Sequence, residues 1–176
     1  PPARGGAALP NPGARGGAPA DTEWALSRAP EDGALNYALG MIRFQQGQLA
    51  QAAQNIGRAA QQLGDHPGAQ LLHALLSYCV NGPASARPPL SAYLALAAEN
   101  ANESALYLQY TLNAHENLSN ARQTLIQHAG QQRSPFFTQF LGYLAGTLER
   151  KYILDQAGIA ASAHSAQQQI CQAAFW

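Results

Sequence analysis

The sequence predicts an all-α protein, and three features of its 176 residues support that prediction. Apolar residues recur at three- and four-residue spacing between residues 33 and 66, which is typical of helices with one buried face. Alanine and glutamine, both good helix formers, supply 36 and 19 residues. Val80 is the only valine, so the chain has no strand-like runs rich in valine.

The stretch from residue 33 to 66 is predicted to form two amphipathic helices joined at Gly47. Asp32 is a suitable N-cap for the first helix, and Gly64 a suitable end for the second. Close approach of two antiparallel helices requires small residues at their contact. Such residues stand at Gly40, Ala52 and Ala59.

This pair resembles a tetratricopeptide (TPR) repeat, whose 34-residue pattern has Leu-Gly in its first helix, Gly at the turn and two alanines in its second helix. The matching residues are Leu39-Gly40, Gly47, Ala52 and Ala59. Asn36 replaces the early tryptophan of the pattern, and the closing proline comes late, at Pro67. Since one repeat cannot bury its own apolar face, the resemblance implies a superhelical stack of about four hairpins over residues 33–170.

The N-terminal residues 1–20 are almost entirely Pro, Gly, Ala and Arg, which predicts a flexible linker or a disordered tail. Residues 21–176 are then expected to form a single TPR-like domain. Its first element is a short helix capped at Asp21-Thr22, in which Trp24 would cover the end of the first repeat.

Later helices are predicted from their start and stop signals. Asn81-Gly82-Pro83 should end a helix that starts at Pro67, and we expect a loop over residues 85–90 before the chain becomes helical again. The remaining predicted helices span residues 91–100, 103–118 (capped by Asn102), 119–130, 135–149 (opened by Ser134-Pro135) and 152–172.

The charge pattern argues against nucleic acid as a partner. Ten basic and ten acidic residues cancel, and no basic block could neutralise a row of phosphates. No apolar run reaches the roughly 18 to 20 residues of a membrane-spanning helix.

The two cysteines, Cys79 and Cys171, admit two interpretations. A disulfide between them would indicate an oxidising compartment. In a regular stack they would lie too far apart to bond, so a bridge would require the C-terminal segment to fold back over the second hairpin. Alternatively, both are free thiols used as small core residues.

No catalytic or metal-binding motif is recognisable. The five histidines are dispersed, and His115-Glu116 lacks the second histidine of a zinc-binding HExxH helix. Glu103-Ser104 resembles part of a transglycosylase motif, but a first-turn helix acid explains Glu103 better. We therefore predict no enzyme activity, metal or cofactor.

A protein or peptide is the expected partner, because TPR-like stacks present first-helix side chains on a concave surface. Each tyrosine there could instead pack between helices. The predicted partner-binding residues are Asn36, Tyr37, Met41, Phe44, Tyr107, Tyr110 and Tyr143, with Gln109 and Gln139 beside them.

The predicted function is a scaffold or assembly factor, and the resemblance suggests bacterial envelope secretion or pilus systems. The linker, the low charge and the cysteine pair favour a periplasmic or outer-membrane-associated protein, with a lipid anchor upstream of the linker. A cytoplasmic TPR chaperone for secreted subunits and an enzyme without a recognisable motif are the alternatives.

Overall fold

A computed structural model of the chain describes residues 17–127 and 133–149, and this part is all-α. It contains eight α-helices and no strand, which confirms the predicted fold class. The helices are α1 (Ala18–Arg28), α2 (Gly33–Gln45), α3 (Leu49–Gln62), α4 (Pro67–Asn81), α5 (Pro83–Ala97), α6 (Glu103–Ala114), α7 (Leu118–Ile126) and α8 (Pro135–Leu144).

The chain divides into two compact units, Pro1–Leu63 and Gly64–Trp176, and the predicted single domain 21–176 includes all of the second and part of the first. Within the units, helices that follow one another form the hairpins α2–α3, α4–α5 and α6–α7. The helix predicted over residues 152–172 lies outside the described residues. The regular TPR stack therefore stays a prediction.

The first unit is built on the α2–α3 hairpin that the sequence singled out. The Asp32 carboxylate accepts a hydrogen bond from the Leu35 N–H at 2.9 Å and caps α2. Gly47 adopts a φ of 75°, a left-handed conformation that favours glycine, and so turns the chain into α3. A Cβ on Gly40 would lie 2.5 Å from Ile56 Cδ1, so this glycine permits the close helix contact.

Polar side chains, including two buried asparagines, connect the helices of this unit. The Asn36 amide group donates to the carbonyls of Pro30 and Asp32, and its oxygen accepts from Asn55 Nδ2 at 3.2 Å. Asn55 Oδ1 accepts from Arg43 Nη1 at 2.6 Å, and Arg43 Nη2 binds Glu23 of α1 at 2.9 Å. We call Glu23, Arg43, Asn55 and Asn36 the polar network.

Helix α1 begins at Ala18, three residues before the predicted cap at Asp21, and Pro19 occupies its first turn. A proline is suited to that place because its missing N–H would have no helical partner there. Trp24 remains 39% exposed, with the Arg28 guanidinium 4.5 Å from its ring centre. None of the side chains of α1 is fully buried.

The loop predicted over residues 85–90 is wrong, because this stretch belongs to α5. Gly82 alone separates α4 from α5, and its φ of 86° makes the reversal. Pro88 and Pro89 lie inside the helix, where each proline costs about 3 kcal/mol in an isolated helix. Part of that cost is offset by the burial of four residues of α5: Ala86, Pro89, Leu90 and Tyr93. Tertiary packing therefore overrides the helix-breaking tendency of the two prolines.

The core of the second unit lies among helices α4 to α8 and includes Leu75, Leu90, Leu106, Leu125 and Phe140. Three of its helices begin at the residues that the sequence predicted. These are Pro67 in the first turn of α4, Asn102 before α6 and Ser134 before α8. The Glu103 carboxylate of α6 also accepts hydrogen bonds from the backbone N–H and the hydroxyl of Ser134, both at 2.6 Å.

Candidate protein-binding groove

A groove of about 240 Å³ lies between α5 and α6 of the second unit. Residues spaced three and four apart on the two helices form its walls, so one stripe of α5 faces one stripe of α6. The apolar residues are Leu90, Leu94 and Leu112, and the polar ones are Arg87, Ser91, Gln109 and Asn113.

Arg87 connects the two walls at one end of this groove. Its Nη2 donates to the carbonyl of Leu112 at 2.9 Å and to Glu116 Oε1 at 2.6 Å. Its Nη1 lies 3.5 Å from Asn113 Oδ1, which is a weak hydrogen bond. The guanidinium is therefore fixed by the end of α6, while the Arg87 side chain as a whole remains 39% exposed.

The predicted tyrosines of the second unit lie elsewhere: two on α6 pack against α8, and Tyr143 lies on α8 itself. Tyr107 is buried and packs edge-to-face on Phe137, with ring centres 5.1 Å apart. Tyr110 is half-buried and packs the same way on Phe140 at 5.6 Å. Tyr143 is half-buried against the core. These contacts favour the inter-helix packing role for Tyr107 and Tyr110.

The predicted residues of the first unit lie on two faces of α2. Asn36 has no exposed surface and belongs to the polar network, so its side chain is not accessible to a partner in this structure. Tyr37, Met41 and Phe44, spaced by four and three residues, share a half-buried stripe.

Of the predicted residues, Gln109 lines the groove, whereas its neighbour Gln139 is half-buried on α8 with a buried Oε1. Sequence reasoning missed the α5 wall because it assigned residues 85–90 to a loop. The available signal was the spacing of Arg87, Leu90 and Leu94, which continues a helical stripe across the proline pair.

Cys79 lies at an exposed position of α4, outside the core, and its candidate partner Cys171 lies outside the described residues. Although the side chain reaches the surface, partial desolvation raises the pKa of the Cys79 thiol. This favours the protonated thiol over the reactive thiolate. The disulfide stays a prediction.

Two histidines of α4 have defined environments. Burial lowers the pKa of His73. His66 Nδ1 accepts a hydrogen bond from the Ala69 N–H at 3.0 Å and so caps the helix. Within residues 17–127 and 133–149, no group of three or more His, Cys, Asp or Glu residues is arranged to hold a metal ion. Each helix in this same part of the chain is too short or too polar to cross a bilayer.

Comparison with known proteins does not assign a function to the groove. No protein-family model matches the sequence, and no curated protein shows significant similarity to it.

Proposed function

We propose that this chain is a non-enzymatic scaffold that binds a segment of a protein partner in the groove between α5 and α6. The observation that carries the proposal is the combination of an apolar wall with amide and hydroxyl groups. Leucine side chains can receive an aliphatic side chain of a partner, and burial of that side chain favours binding. Gln109 and Asn113 can both donate and accept, as the backbone of a bound peptide requires.

The size of the groove supports a peptide over a small-molecule ligand. Pockets for drug-sized ligands and cofactors usually have volumes of roughly 300–1,000 Å³. A groove of about 240 Å³ fits one or two side chains of a larger partner. The likeness of residues 33–66 to a TPR repeat supports the same class of function.

Peptide selection followed by a blocking substitution tests the proposal. Peptides selected from a random phage-displayed library on the purified chain should bind the wild type in calorimetric titrations. Ser91→Trp, at an exposed position that lines the groove, should fill it and abolish this binding. Ser85→Trp is the matched control, because Ser85 is an exposed serine of the same helix outside the groove.

Two results would overturn the proposal: a selection that yields no binding peptide, or peptides that bind the Ser91→Trp variant as tightly as the wild type. Far-ultraviolet circular dichroism and a thermal melt of each variant show whether the fold is retained.

We also propose that the protein works in the bacterial envelope, in secretion or pilus assembly. The Pro/Gly/Ala-rich residues 1–20 and the 11% charged content support this location. Fractionation of the source organism, with an antibody against the purified chain, tests it. Recovery with cytoplasmic markers would contradict the envelope proposal and favour the cytoplasmic chaperone.

A further inference from the structure

Arg87 carries the only formal charge among the residues that line the groove. Leu90, Leu94 and Leu112 are apolar, and Ser91, Gln109 and Asn113 are neutral. A partner segment with a carboxylate near an aliphatic side chain would therefore complement the groove in both charge and polarity.

The position of Arg87 does not depend on its ion pair. The Leu112 carbonyl accepts from Nη2 at 2.9 Å, and Leu112 is itself 1% exposed, so this anchor is part of the folded core. An arginine fixed in this way loses little side-chain freedom when it binds a second carboxylate.

Glu116 already places a carboxylate oxygen 2.6 Å from Arg87 Nη2. Its side chain is 69% exposed. Exposed ion pairs contribute little to stability, so Glu116 can leave the guanidinium at small cost. Its carboxylate thus marks a position that another carboxylate could take.

We propose, resting on the proposed function, that the groove selects an acidic peptide segment. An aliphatic side chain of the partner enters between Leu90, Leu94 and Leu112, and a nearby Asp or Glu side chain of the partner binds Arg87. Glu116 occupies that carboxylate position in the free protein and competes with the partner.

Matched peptide sets test this inference. Short peptides carry a central leucine, with Glu placed in turn at each flanking position in one set and Gln in the other. Their ends are acetylated and amidated, so that the Glu side chain supplies the sole carboxylate. Binding to the full chain is measured by fluorescence anisotropy at low and high salt.

The best Glu peptide should bind about tenfold more tightly than its Gln partner, since hydrogen bonds between charged groups are stronger than neutral ones. This preference should shrink at high salt. Arg87→Gln should remove it, whereas Glu116→Gln should strengthen binding of the Glu peptide. Thermal melts identify any variant that unfolds, and Glu116→Gln changes an exposed side chain.

Equal binding of the two sets to the wild type would overturn the acidic preference and leave the proposed function standing. Unchanged or weaker binding of the Glu peptide to Glu116→Gln would overturn the competitor role. Failure of both sets to bind would overturn the inference. The phage selection with Ser91→Trp then decides the proposed function separately.

Discussion

The carboxylate of Glu103 accepts both the backbone N–H and the hydroxyl of Ser134, each at 2.6 Å. The same hydroxyl accepts from the Phe137 N–H and caps α8. One carboxylate at the start of α6 therefore fixes the start of α8. Glu103 and Ser134 are 31 positions apart in the sequence, and each lies at the start of a helix. Their contact therefore links the starts of two helices to the packing of the second unit.

We expect Glu103→Gln to destabilise the second unit by about 2 kcal/mol, because the charge-assisted hydrogen bonds to Ser134 are weakened. Urea denaturation followed by circular dichroism measures the change. Glu99→Gln, at an exposed position just before α6, is the control and should be close to neutral. Equal stability of the two variants would show that the contact with Ser134 contributes nothing.

The polar network predicts strong coupling between Asn36 and Asn55. Asn36→Leu should cost about 2–3 kcal/mol, since it removes the acceptor of Asn55 Nδ2 and the side-chain donor to the Pro30 carbonyl, whereas the Asp32 carbonyl keeps the backbone N–H of residue 36. Asn36→Leu combined with Asn55→Leu should cost less than the sum of the two single changes. A double-mutant cycle by chemical denaturation measures this, and strict additivity would contradict a direct bond.

The close contact at Gly40 predicts that the effect of Gly40→Ala on stability depends on which residue stands at position 56. Gly40→Ala should destabilise the wild type by about 1–3 kcal/mol, because its Cβ would meet Ile56 at 2.5 Å. In an Ile56→Ala background the same change should be neutral or stabilising, since alanine favours helix and fills the space. Gly64→Ala, whose Cβ would meet no atom within 4 Å, is the control in each thermal melt.

The pKa of His73 predicts a dependence of stability on pH. Burial lowers this pKa below its ordinary value of 6.5, so the unfolded chain binds a proton that the folded chain resists. Stability should therefore fall as pH drops through 6.5, by at most about 1.4 kcal/mol per pH unit, and level off below the folded-state pKa.

Urea denaturation at several pH values measures this dependence in the wild type and in His73→Gln, where the slope should be shallower. His115→Gln, at an exposed position, is the control and should keep the wild-type slope. A slope unaffected by His73→Gln would show that His73 is not the source of the pH dependence.

The starts of α2, α6 and α8 were predictable because they depend on neighbouring residues. Asp32, Asn102 and Ser134 each accept a hydrogen bond from a backbone N–H two or three residues ahead, so their role can be recognised from a short window of sequence. The turn at Gly47 can likewise be recognised from a short window of sequence.

The groove could not be found in that way, because its α5 wall depends on contacts distant in sequence. Pro88 and Pro89 are breakers in any short window, and they are helical here because Pro89 is buried and Leu90 belongs to the core. The partners of Tyr107 and Tyr110 are likewise phenylalanines about 30 residues away, on α8. Helical periodicity identifies a buried side of a helix without showing which element covers it.

The buried amides of the first unit have a consequence for how the chain folds. All its hairpins present amphipathic helices rich in Ala, Gln and Leu, so α2 has several chemically similar helices with which it could pair. Pairing with an apolar surface would bury the Asn36 side-chain oxygen without a donor, which is costly. The side-chain amide N–H of Asn55, on α3, supplies that donor. We therefore expect the hydrogen bond between these two asparagines to favour pairing of α2 with α3. Folding intermediates in which α2 pairs with another helix should be less stable.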